Sequence, residues 1–267
     1  MNTAKSLIKN RYVLSELVRK KVKTQYRNSF FGMLWTVLNP LLNMLVMWVV
    51  FSQFFGRNDP LYPVYLLTGN ILFSCLRGAT DGALQSIVTN SGLLKRVKID
   101  SYLFPLSSTL SSLVNFGFSL VALLLIMLGM QIFGGYSLFG VNMLLVVLML
   151  PAFVLFEYGI GLFLSALYVF FRDIKYLYSV FLTLWTYITP IFYKFNDSFL
   201  KEGSFAHVLV KCNPMYYFVR FFRDAIYMGF ETPIWQDLGV LYLLGIASVI
   251  VGTLVYKPLK KHFMMNI

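Results

Sequence analysis

Charge is scarce in this chain. Asp, Glu, Lys and Arg make up 13% of its 267 residues and apolar residues 58%, where a soluble domain carries about 25% charge and about 45–50% apolar residues. That balance excludes a water-soluble globular protein and assigns most of the chain to lipid. Acids are scarcer still, with 11 Asp and Glu against 23 Lys and Arg, a net charge of +12. In so apolar a chain these cations belong to loops at a membrane surface rather than to a nucleic-acid site. Two cysteines, Cys75 and Cys212, build no disulfide framework. The two histidines, His207 and His262, fall on opposite sides of the expected topology, so no metal centre is expected. The chain has no Gly-x-x-x-x-Gly-Lys-[Ser/Thr] and no Gly-Lys dipeptide at all, so it cannot cradle ATP in a P-loop. No nucleophile stands near a base in sequence, and enzymatic chemistry finds no support. The first 30 residues are strongly basic and lack the apolar run of a cleavable signal.

What the chain does have is long uncharged runs. A membrane helix needs roughly 20 mainly apolar residues, and six stretches qualify: 33–55, 62–88, 103–130, 139–168, 176–193 and 238–256. The uncharged stretch between Asp100 and Glu157 is too long for one helix, and Gln131-Ile-Phe-Gly-Gly-Tyr136 is its natural turn. The sequence therefore predicts an all-α membrane protein with six spans in a single transmembrane domain, residues 1–267. Even-numbered crossings put the N-terminus, 89–100, 171–175 and the C-terminal tail on one side, with sixteen Lys and Arg against six on the other. The positive-inside rule then puts both termini in the cytoplasm.

Four features carry more than topology. Residues 5–27 form a basic amphipathic helix lying on the membrane surface, with Leu14, Leu17, Val18 and Val22 on one face and Arg11 and Lys21 intruding on it. The segment 89–100 carries Lys95, Arg96, Lys98 and Asp100, and reads either as a charged connector or as a short helix docking into a soluble subunit. Arg77, Asp81 and Glu157 lie within spans, where ionisable groups are functional candidates; Arg77 and Asp81, at i,i+4, are expected to pair. The segment 195–230, between the last two spans, is expected to hold two short amphipathic helices dipping into the outer leaflet, the second opening at Pro214. On that helix Arg220 and Asp224 are spaced to pair, which leaves Arg223 for a phosphate or acidic sugar, for backbone carbonyls of a gate, or for lipid headgroups.

Tyr26-Arg27-x-Ser29-x-x-Gly32-x-x-Trp35-x-x-Leu38-x-Pro40 leads into the first span. Phe171-Arg172-Asp173-Ile174-Lys175 closes the fourth, and Thr189-Pro190-Ile191-Phe192-Tyr193 ends the fifth. Asn213-Pro214-Met215-Tyr216 follows, with Arg223 ten residues after the Asn. In this order, over nearly the whole chain, these segments resemble the type-2 ABC permeases that export O-antigen, capsular polysaccharide and teichoic acid. The resemblance implies a homodimer in the bacterial cytoplasmic membrane, joined to two copies of an ATPase that holds ATP and Mg, with no cofactor on this chain. It implies an undecaprenyl-linked glycan passing through a channel lined by both copies, 89–100 as the ATPase-coupling loop and 195–230 as a re-entrant gate. On that basis Trp35, Trp185, Tyr187, Phe192, Tyr193, Tyr216, Tyr217 and Arg223 are the residues expected along the path or its gate.

The physical reading runs parallel. Six packed helices leave no pore for a hydrated polymer, so a second copy is expected. Aromatics are abundant, 26 Phe, 17 Tyr and 4 Trp, and their faces suit the C–H faces of sugars. Two other readings stay open: an ABC permease for another amphiphile such as a drug or lipid, and an ion-coupled secondary carrier, although no internal repeat of the kind common in carriers is visible.

Overall fold

The computed structural model describes residues 10–25, 32–55, 59–97, 99–136, 138–194 and 203–263. Tyr26, Arg27, Lys98, the first residues of the basic helix and 195–202 of the outer segment lie outside the described residues. What is described is all-helical, with no strand among it. In chain order the helices are α1 (Arg11–Gln25), α2 (Trp35–Phe55), α3 (Tyr62–Leu84), α4 (Ser86–Thr89), α5 (Ser91–Arg96), α6 (Leu103–Gly134), α7 (Leu145–Phe170), α8 (Ile174–Ile188), α9 (Phe205–Lys211), α10 (Pro214–Arg223) and α11 (Ile234–Lys260).

Among the described residues, three segments are long and apolar enough to cross a membrane: α6, α7 with the 3₁₀ turn before it (Val141–Phe170), and α11. The chain is therefore an integral membrane protein. At 1.5 Å per residue the 32 residues of α6 extend about 48 Å, beyond the roughly 30 Å hydrocarbon core. It ends at Gly135, whose φ of 71° is the left-handed cap that glycine adopts without strain. Helix α3 is the central pillar. It is buried on nearly every side, Val64 to Gly69 without a break, between α2, α6, α7 and α10. That placement accommodates its lower apolarity, because polar groups such as Thr68 and Thr80 meet protein.

α7 and α11 form the closest seam. A Cβ at Gly245 would stand 2.6 Å from the Ala152 carbonyl, and one at Gly252 would run into the backbone of Gly159. Small residues seven apart on both helices let the backbones touch, which drives helix association in lipid where the hydrophobic effect cannot. The Gly78–Gly82 pair works differently. Gly78 admits the Ser112 hydroxyl of α6, and Gly82 admits the ammonium of Lys21 from α1.

Two expectations need correction. Residues 189–193 are not helical, so α8 has only 15 residues, about 22 Å. Pro190 is the cause: it disfavours the helical conformation of the residue before it, and Thr189 is extended at φ −77°, ψ 129°. The second helix of the outer segment, expected to face lipid, is packed against protein instead, while Phe205 and Val208 of the first are exposed. α10 is inserted in the bundle, with Met215, Phe218, Val219 and Phe222 fully enclosed, and Phe218 packs on Phe153 and Phe156.

Candidate functional site

An unwound backbone in a membrane bundle must find its hydrogen bonds elsewhere, and the stretch after α8 shows where. Tyr62 Oη donates to the Phe192 carbonyl at 2.7 Å. Tyr65 Oη reaches the Tyr193 carbonyl and lies 3.1 Å from that of Pro190. Arg223 supplies the rest. Its Nη1 donates to the Pro190 carbonyl at 2.6 Å, Nη2 to the carbonyls of Tyr65 at 3.0 Å and Ile191 at 3.3 Å, and Nε to Thr68 Oγ1 at 3.4 Å. The guanidinium also stacks on Tyr65, 3.5 Å from the ring centroid. Only 4% of Arg223 is exposed, and it forms no ion pair among the described residues. Its charge is balanced by carbonyl dipoles and a π face, the fork geometry that distinguishes Arg from Lys.

Asn213 holds the other side. Its Oδ1 caps α10 through the Met215 N–H at 3.0 Å and accepts from Trp185 Nε1 at 2.7 Å, while its Nδ2 donates to Thr189 Oγ1 at 2.8 Å. α3, α8 and α10 thus meet in one lock around Pro190. Trp185, one of the residues expected along the path, belongs to this lock. Its indole is buried among Phe73, Phe156 and Phe181 with its N–H engaged, so it fastens the lock rather than lining a path. Phe192 stacks on Phe51 at 5.8 Å, Tyr193 Oη donates to the Ile188 carbonyl at 2.9 Å, and Tyr217 Oη to the Lys211 carbonyl at 2.9 Å. Tyr187 is exposed on α8.

Outside the lock lies a cavity of about 450 Å³, lined by Tyr216, Arg223, Lys194, Lys211, Arg220 and Asp224 among others. Arg220 pairs with Asp224 at 3.5 Å and Lys194 with Asp59 at 2.6 Å. Burial lifts the Asp224 carboxyl to about 6, with Asp237 and Glu231 raising it further against the opposing pull of Arg220.

At the opposite end of the bundle, α1 and α5 enclose a cleft of about 690 Å³. Val13, Leu17, Leu93 and Val97 form its apolar wall, and Arg19, Lys20 and Lys23 of α1 also line it. Lys95 and Arg96 stand exposed on α5, whereas Asp100 is turned inward and pairs with Lys260 at the end of α11, 3.5 Å away. Lys21, which spoiled the apolar face of α1, inserts into the bundle and donates to Ser108 Oγ at 2.6 Å. Burial pushes its ammonium down to about 8. Arg172 lies over the Tyr168 ring at 5.2 Å, beside the exposed Asp173. Gly32 sits at φ 50°, just before α2, and Pro40 lies inside that helix.

The charges within the spans do not behave as their spacing suggests. Arg77 forms no ion pair with Asp81. It donates to Thr186 Oγ1 of α8 at 3.2 Å and lies over Phe73 at 6.0 Å. Glu157 is completely buried beside the Cys75 thiol, and neither carboxyl oxygen finds a well-formed hydrogen bond among the described residues.

Sequence reasoning missed two things. Tyr62, Tyr65, Thr68 and Gly69 recur on one face of α3, a stripe that could have flagged the lock; a Cβ at Gly69 would lie 2.7 Å from Arg223 Nη2. It also missed a groove of about 300 Å³ between α2, α3 and α6, into which Asn39, Asn43, Asn70, Ser74, Asn115 and Ser119 project. Their spacing, i,i+4 on α2 and α3 and also on α6, was visible in otherwise apolar runs.

The family model of the ABC-2 type transporter matches residues 12–227, and the chain belongs to that family. Among its relatives is the O-antigen export system permease protein RfbA of Myxococcus xanthus, 28% identical over 263 residues, 98% of each chain. A Klebsiella pneumoniae protein of the same name is 26% identical over 253 residues, 94% of this chain and 93% of that one. The polysialic acid transport protein KpsM of Escherichia coli is 22% identical over 245 residues, covering 90% and 91%.

Proposed function

We propose that this chain is the permease subunit of an ATP-driven exporter that moves a lipid-linked polysaccharide across the bacterial cytoplasmic membrane. It works as a homodimer with two copies of a separate ATPase, which bind ATP and Mg. The observation that carries the reading is the end-to-end similarity to permeases named for O-antigen and polysialic acid export. The geometry supports it at both ends. The cleft between α1 and α5, apolar within and cationic at Arg19, Lys20 and Lys23, suits a soluble subunit presenting an acidic amphipathic surface. Asp100, paired with Lys260, ties the α5 hairpin to α11, so a push on α5 reaches a long helix directly. At the far end the lock around Pro190 shapes the exit, and the basic residues of the outer cavity suit the phosphate or acidic groups of a polymer leaving the bundle.

The test is ATP turnover by the purified complex in nanodiscs with lipid-linked glycan extracted from the same cells. The glycan should stimulate turnover. Replacing Lys95, Arg96 and Lys98 together by Glu should abolish that stimulation while the permease still inserts. Equal turnover with and without the glycan, and with either loop, would refute the reading.

A further inference from the structure

The groove between α2, α3 and α6 is a polar concavity in an otherwise apolar part of the bundle. Its polar side chains are carboxamides and hydroxyls, and no described residue lining it is charged. Asn39 and Asn43 lie one turn apart on α2 and bond to each other, Asn43 Nδ2 to Asn39 Oδ1 at 2.7 Å. Asn115 Nδ2 donates to Gln25 Oε1 at 3.0 Å, which joins the groove to the end of α1. A carboxamide offers two N–H donors and two acceptor positions, so a single bond leaves both Asn39 and Asn43 with capacity for a ligand. Trp35, 40% exposed, adds aromatic surface to the same lining. From Trp35 to Asn43 the groove follows α2 for about 12 Å, the length of two to three sugar rings.

Such a lining has a definite chemical preference. Planar amides bind vicinal hydroxyls through paired donor and acceptor bonds, and an aromatic face receives the C–H face of a pyranose. Among the described lining residues no cation stands ready to attract phosphate or carboxylate. The outer cavity, with Lys194, Lys211, Arg220 and Arg223, has the opposite character. Resting on the exporter reading above, we propose that this groove is a binding site for a neutral, polyhydroxylated segment of the transported glycan, occupied before the polymer reaches the cationic exit.

A photo-crosslinking residue at position 74, on the groove, with a second at position 216, on the outer cavity, tests this in cells that make the polymer. Position 125, on the outward face of α6, serves as the control. Ultraviolet light should attach a high-mass, periodate-staining glycan ladder at 74 and not at 125. An adduct of single-lipid mass at 74 would show a lipid headgroup as the occupant and overturn the proposal. Glycan captured at 216 but not at 74 would overturn the groove while leaving the exporter reading intact; glycan captured at neither, with normal surface polymer in a strain lacking the permease, would refute that reading itself. Asn39→Leu combined with Asn70→Leu should lower export at least tenfold at equal membrane abundance. Unchanged export by this variant would overturn the proposal.

Discussion

Replacing Arg223 probes the lock most sharply. Arg223→Ala removes bonds to three carbonyls and one hydroxyl, together with the stack on Tyr65. The three carbonyls do not suffer equally. That of Pro190 keeps the Tyr65 hydroxyl, and that of Tyr65 can keep its own helical partner, but that of Ile191 loses its side-chain donor. A buried orphan of this kind costs about 1–3 kcal/mol, and the stack in a dry site is worth about 2 kcal/mol. Removing a buried charge returns part of this, so a net loss of about 3 kcal/mol in docking α10 onto the broken end of α8 is expected, roughly a hundredfold in equilibrium constant. Arg223→Lys keeps the charge but not the fork. An ammonium can satisfy one or two of the carbonyls and cannot stack flat on the ring, so about half the loss should remain. The assay is polymer at the cell surface, read with antiserum at matched permease abundance, beside the melting temperature of the purified protein. Export should fall steeply for Ala and nearly as far for Lys, with melting lowered in the order Ala, then Lys. A lysine variant with full export and an undiminished melting temperature would refute the reasoning and leave Arg223 a replaceable cation.

Three further outcomes follow from the packing. Gly69→Ala places a methyl against the Arg223 guanidinium and the Ile191 backbone, so it should reproduce the Arg223→Lys defect in export without touching a charge. Gly252→Val drives a side chain into the Gly159 backbone; overpacking of about 3 kcal/mol should lower the melting temperature in detergent by roughly 6–10 °C. Lys21 titrates near 8 when α1 is docked and at its ordinary 10.5 when it is not. Undocked α1 therefore binds more protons between these values, and docking should strengthen as pH rises from 8 to 10.5, by up to about 3 kcal/mol, then level off. A water-quenched dye at position 14 should report this gain, and Lys21→Met should abolish its pH dependence.

Local signals in the sequence carried far, and pairwise partners did not. Asn213-Pro214 opens α10 with a side-chain cap and a proline at N1, as short-range rules require. Gly135 stops α6 for an equally local reason. The end of α8 was misjudged although Pro190 stood in view, because an uncharged run reads as one span whether or not its backbone stays helical. The fate of the freed carbonyls was beyond local reading: Arg223 and Tyr65 are 158 residues apart. Arg77 and Asp81 mislead in the opposite way. Correct spacing on one helix does not hold a pair together when Thr186 and Phe73 offer Arg77 another seat. Hydropathy averaging hid the asparagines of the groove, since two amides per helix hardly lower the mean of an apolar run. Lys21, a blemish on the apolar face of α1, makes sense only once Gly82 and Ser108 open a seat for its ammonium.

The central claim, export of a lipid-linked polysaccharide, is tested most directly by following the polymer itself in cells from which this permease alone has been deleted. Surface polysaccharide should disappear while lipid-linked polymer accumulates on the cytoplasmic face of the membrane, and the intact chain supplied in trans should reverse both. Unchanged surface polymer with no internal accumulation would contradict the account.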